Sequence, residues 1–109
     1  MEAKKKVRKH PIDAGKYLDE LIGEPLTFGR MINATRRAEE QSLETFAHRL
    51  GVSRAYLCDV EKGRRAVSVD RAAAWARKLG YLEAHYVALA LQAAVNAAGL
   101  KLRVSVEAA

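Results

Sequence analysis

Apolar residues recur every three or four positions along most of the chain, and the runs break at glycines and small polar residues. This is helical periodicity, each run carrying one apolar stripe. Tyr17, Leu18, Leu21 and Ile22 predict a short amphipathic helix over 16–22, ended by Gly23, with Pro25 opening the next helix in its first turn. That next helix is predicted over 26–40, with Phe28, Met31, Ile32 and Thr35 in register. Ser42 is placed as an N-cap, and Glu44 follows where its charge meets the positive helix end. The helix it starts carries Leu43, Phe46, Ala47 and Leu50 and stops at Gly51. Ser53 caps another, with Leu57 and Val60 inward and Gly63 at its end. Ser68 caps the next, with Val69, Ala72, Ala76 and Leu79 inward, ending at Gly80.

The last stretch reads differently. A helix over 82–98 has Leu82, Tyr86, Leu89 and Ala93 on one side and Val87, Leu91 and Val95 on another. A helix apolar on more than one face must bury more than one. After Gly99 the pattern changes to period two, with Leu100, Leu102, Val104 and Val106 alternating with Lys101, Arg103, Ser105 and Glu107. This predicts a strand, which cannot satisfy its own backbone and finds no mate elsewhere in the sequence. Together these features predict a homodimer through Tyr86, Leu89, Leu91, Leu102, Val104 and Val106, the strands pairing antiparallel across a two-fold axis.

Charge narrows the function. The 109 residues carry a formal +6, unevenly spread. Residues 1–10 hold five Lys/Arg against one acid, and residues 30–78 hold eleven against six. Residues 11–29 are acidic and residues 79–109 neutral. A basic arm and a basic centre fit a polyanion partner, and equally a basic protein without one. The single Cys58 permits no internal disulfide and suits a reducing, cytoplasmic compartment. The basic start is followed by no apolar run, which argues against a secretory leader, and no segment is long enough to span a membrane. His10, His48 and His85 have no partner at metal-ligand spacing, and no nucleophile motif occurs, so neither metal nor cofactor nor enzyme activity is expected.

The informative stretch is 42–63, SLETFAHRLGVSRAYLCDVEKG. Two short helices meet across Gly51, Val52 and Ser53; Ala47 leaves room for a close crossing, and Gly51 permits the positive φ of a sharp turn. Leu57 and Val60 pin the second helix inward and leave its opposite face free, the layout in which a recognition helix enters the DNA major groove. Over roughly 26–80 the chain resembles the Cro/repressor, or Xre-type, helix-turn-helix family. The matching residues are Gly29, Ile32, Arg36, Ser42, Phe46-Ala47, Leu50-Gly51-Val52-Ser53, Leu57, Val60-Glu61-Lys62-Gly63-Arg64-Arg65, Ser68 and Leu79-Gly80. The resemblance implies an all-α, lambda-repressor-like five-helix domain that binds double-stranded DNA, usually as a symmetric dimer. It also implies a buried pair between Arg36 and Glu61. Leu43 stands where the family commonly has glutamine, Gln41 where it is commonly apolar, and Cys58 where serine is common.

The resulting division is a basic arm over 1–15, a helix-turn-helix domain with an extra N-terminal helix over 16–80, and a dimerisation helix and strand over 81–109. The expected DNA-binding residues are Ser42, Ser53, Arg54, Ala55, Tyr56, Asp59, Lys62, Arg64 and Arg65. Arg54 suits guanine O6 and N7, Ala55 a thymine methyl, Tyr56 a phosphate or a stacking contact, and Asp59 cytosine N4. Lys62, Arg64 and Arg65 suit phosphates. The expected role is an autoregulatory repressor on an inverted-repeat operator. An antitoxin that also binds a cognate toxin shares the same features. A protein-interaction module that has lost DNA binding is the reading that Leu43 and Asp59 favour.

Overall fold

The computed structural model describes residues 26–109. The expected basic arm, the helix over 16–22 and the roles of Gly23 and Pro25 lie outside them. The described residues form five helices: α1 (Phe28–Ala38), α2 (Leu43–Leu50), α3 (Arg54–Glu61), α4 (Val69–Leu79) and α5 (Glu83–Ala97).

The first four begin at a hydroxyl cap. Thr27, Ser42, Ser53 and Ser68 each have extended backbone and accept a hydrogen bond from the N–H three residues on. Each satisfies one of the backbone donors that a helix start leaves unpaired. Thr27 is a cap the apolar pattern did not single out. At the other end of α1 the turn runs through Glu40, a non-glycine residue at φ 54°.

The stripes read from the sequence meet in one core. Ile32 of α1, Phe46 of α2, Leu57 and Val60 of α3, Trp75 of α4 and Tyr86 of α5 are all but completely buried. Phe28 ties the aromatics together, its ring 6.1 Å from Trp75 and edge-on to Tyr86 at 5.9 Å. Helix α5 packs mainly on α4 and more lightly on α1. Val69 and Leu82 depart from the expected inward placement: Val69 opens α4 at 42% exposure, and Leu82 caps α5 at 73%.

Two C-terminal expectations need correction. Tyr86 is 1% exposed within the core, so its side chain is not available to a second subunit. No strand occurs among the described residues, and residues 100–109 run along the molecule without regular structure. Two of the backbone groups that the alternation left without a mate find one in a side chain. Gln92 on α5 donates from Nε2 to the Leu102 carbonyl at 2.8 Å, and its Oε1 accepts from the Val104 N–H at 2.7 Å. A carboxamide presents one donor and one acceptor side by side, which is what a neighbouring strand would have offered.

Candidate functional site

The corner between α2 and α3 fixes how α3 is presented. Gly51 takes a left-handed φ of 77°, and the Val52 N–H turns back to the Ala47 carbonyl at 3.0 Å. Ala47 is buried at the crossing and Val52 packs against the core beside it. Ser53 then restarts the chain, its hydroxyl accepting from the Tyr56 N–H at 3.0 Å. Leu57 and Val60 hold one face of α3 down. Arg54 and Ala55 in its first turn are exposed, while Tyr56, Cys58 and Asp59 are half-buried.

The rear of α3 is locked to α1 through Glu61. Arg36 Nε donates to Glu61 Oε2 at 2.8 Å, and Nη2 to Oε1 at 3.1 Å, a bidentate pair. Its Nη1 reaches the Gln41 carbonyl at 3.0 Å, and Asn33 Nδ2 donates to Glu61 Oε1 at 2.8 Å. The Glu61 side chain is only 6% exposed, so this network satisfies a carboxylate that would otherwise be costly to bury. The hydrogen bond to Glu61 holds the Arg36 guanidinium above its ordinary pKa range, outweighing the opposite effect of burial. The sequence reading missed Asn33, although it lies one turn before Arg36 and thus on the same face of α1. Gly29 makes the approach of α1 to α3 possible: a Cβ there would lie 2.2 Å from the Val60 carbonyl oxygen.

Ion pairing sorts the remaining cations. Arg49 is paired with Glu39, Arg64 with Asp59 at 3.2 Å and Arg77 with Glu83. Arg37, Arg54, Lys62, Arg65, Arg71, Lys78, Lys101 and Arg103 are exposed and make no salt bridge among the described residues, although the Asp70 carboxylate beside Arg71 feels its charge. Three of these, Arg54, Arg65 and Arg71, gather at the first turn of α3. Arg54 opens it, and the guanidinium carbons of Arg65 and Arg71 lie 5.0 and 5.2 Å from the centre of the Tyr56 ring. Lys62 stands at the far end of the helix. Arg71 was not among the expected residues. Its signal was a cation in the first turn of a helix, where the backbone dipole disfavours it.

The other expected site residues take clear places. Ser42 caps α2, accepting from the Thr45 N–H at 3.1 Å, and leaves the first N–H groups of that helix facing outward beside Glu44. Tyr56 is not free to swing toward a ligand, since its ring stands edge-on to Trp75 at 6.5 Å as well as beneath the two arginines. Asp59 is engaged by Arg64. Leu43 packs against the core, which gives it a structural use at a position where a polar residue is common. No group of His, Cys, Asp or Glu among the described residues is placed to hold a metal ion, and no helix among them is long and apolar enough to cross a membrane.

A helix-turn-helix family matches residues 35–85, from the last turn of α1 to the start of α5. A search of curated proteins and of solved structures gives no significant match.

Proposed function

Residues 35–85 are a DNA-binding helix-turn-helix domain of the Cro/repressor (Xre) family, and on that premise we propose that the chain is a sequence-specific transcriptional repressor reading an inverted repeat as a homodimer. The observation that carries this reading is the sorting of charge. Arg36, Arg49 and Arg77 are tied to carboxylates, while Arg65 and Arg71 lie over the Tyr56 ring at the first turn of α3 and make no salt bridge among the described residues.

Arg54, exposed at the start of α3, is assigned to guanine O6 and N7, a bidentate contact worth about 1–3 kcal/mol of discrimination. Ala55 beside it meets a thymine methyl. Lys62, Arg64 and Arg65 take phosphates. Arg64 must first leave Asp59, but Arg64 is exposed and Asp59 only half-buried, and such a surface pair contributes little, about 1 kcal/mol at most. Its release frees Asp59 to accept from cytosine N4. The caps Ser42 and Ser53 place the starts of α2 and α3 against the backbone. Two features that favoured a pure protein-interaction module weigh less here, because Leu43 is packed inward and Asp59 has a basic partner.

The test is selection from a random duplex library at moderate salt, followed by sequencing of what is retained. The expected result is an inverted repeat with half-sites about 10 base pairs apart. Absence of any motif, with retention lost at physiological salt, would overturn the proposal.

A further inference from the structure

Three observations converge on one ring. Tyr56 is held in place by its edge-on contact with Trp75, which is itself 2% exposed, so the phenol is a fixed platform. Two guanidiniums are drawn to it from different parts of the chain: Arg65 from the loop after α3 and Arg71 from the first turn of α4. Neither makes a salt bridge among the described residues, although Asp70 beside Arg71 feels its charge. The two distances bound the separation of the guanidinium carbons at about 10 Å. Two like charges kept this close repel each other, and ring attraction is a small compensation for each. An anion received by both removes the repulsion and has the N–H donors of two guanidiniums to meet.

We infer that Tyr56, Arg65 and Arg71 form a clamp for a DNA backbone phosphate beside the first turn of the recognition helix, with Tyr56 as the positioning residue and Arg71 as a DNA contact contributed by α4. The inference rests on the DNA-binding reading above and extends it. Tyr56 does not touch DNA in this arrangement; it keeps two long side chains ordered before binding, so that less side-chain freedom is lost when the phosphate arrives. The clamp fixes register on the backbone and carries no base preference. It therefore acts equally on operator and random duplex, unlike Arg54.

The experiment is fluorescence-anisotropy titration of the whole chain against an operator-bearing duplex and a random duplex over a range of salt concentrations. Arg71→Ala is expected to weaken both complexes by the same factor and to reduce the slope of log K against log salt by about one unit. Tyr56→Leu is expected to weaken both although it removes no charge, and Tyr56→Phe, which keeps the ring, to behave as wild type. In the Tyr56→Leu background, Arg71→Ala is expected to cost less than it does alone. Circular dichroism melts of each variant separate loss of contact from loss of fold, and the salt slope is a readout that a purely packing role for Tyr56 does not move. A wild-type slope in Arg71→Ala, or a Tyr56→Phe variant as weak as Tyr56→Leu, overturns the clamp while DNA binding stands. A wild-type chain that retains no duplex overturns the DNA-binding reading and the clamp with it.

Discussion

Gly29 occupies a point where two helices come within backbone distance. In an exposed helix, replacing glycine by alanine gains about 1 kcal/mol of helix propensity. Here the new Cβ would meet the Val60 carbonyl oxygen at 2.2 Å and that of Glu61 at 3.1 Å. A backbone oxygen cannot rotate away, so α1 and α3 must part, and overpacking of this kind typically costs about 1–3 kcal/mol or more. Separation also draws Asn33 and Arg36 off Glu61. Gly29→Ala is therefore expected to lose about 2 kcal/mol net in a urea titration; a variant as stable as wild type would mean the two helices lie further apart. The sequence supplied Gly29 only as a match to a pattern, because its reason lies in a residue 31 positions away. Glu61 was more legible, since an acid near a helix C-terminus is poorly placed unless something specific receives it.

The helices were legible because their signals are local. Serine caps and glycine stops occupy fixed positions relative to each apolar stripe, and Ser42, Ser53 and Ser68 all make the expected bond. The tail misled for a related reason. Alternation reports which residues face inward, whereas a ladder depends on a partner that alternation does not contain. Val104 and Val106 are half-buried while Lys101, Arg103 and Ser105 are exposed, so part of the two-sided pattern survives without a strand. The partner is Gln92, whose amide serves both Leu102 and Val104. Gln92→Ala removes both bonds at once. The Val104 amide is expected to be protected from hydrogen exchange in wild type and to exchange about tenfold faster in the variant, the equivalent of roughly one hydrogen bond. The α1–α4 core should keep its protection in both. An unprotected Val104 amide in the wild type would show that the clasp does not hold in solution.

At the scale of the whole molecule, the large exposed apolar side chains are unevenly placed. Tyr81 and Leu82 stand at the start of α5, and Leu100 and Leu102 just past its end, with exposures of 45, 73, 52 and 62%. Fifteen helical residues, about 22 Å, separate the two groups. A monomer gains nothing from apolar clusters at both ends of one helix. Antiparallel packing of α5 on its own copy across a two-fold axis sets Leu82 of one protomer against Leu100 and Leu102 of the other, and does so twice, as an isologous contact requires. The half-buried Leu91 and Val95 lie on the stretch between, while Leu89 packs against the core. This contact needs no strand pairing and leaves Tyr86 in the core, so it retains the proposed homodimer while discarding the parts that the fold corrects. Leu82→Glu and Leu102→Glu are each expected to shift the chain from dimer to monomer in light scattering at tens of micromolar, with helical content unchanged. Because Leu82 meets Leu102 only in this antiparallel arrangement, Leu82→Lys combined with Leu102→Glu should recover part of the dimer. On DNA, the monomeric variants should still retain a half-site through Arg54 but lose the preference for two half-sites at fixed spacing, since that preference comes from the rigid link between protomers. A wild-type monomer at these concentrations would remove the two-fold from the proposal and leave the clamp and the recognition helix acting on a single half-site.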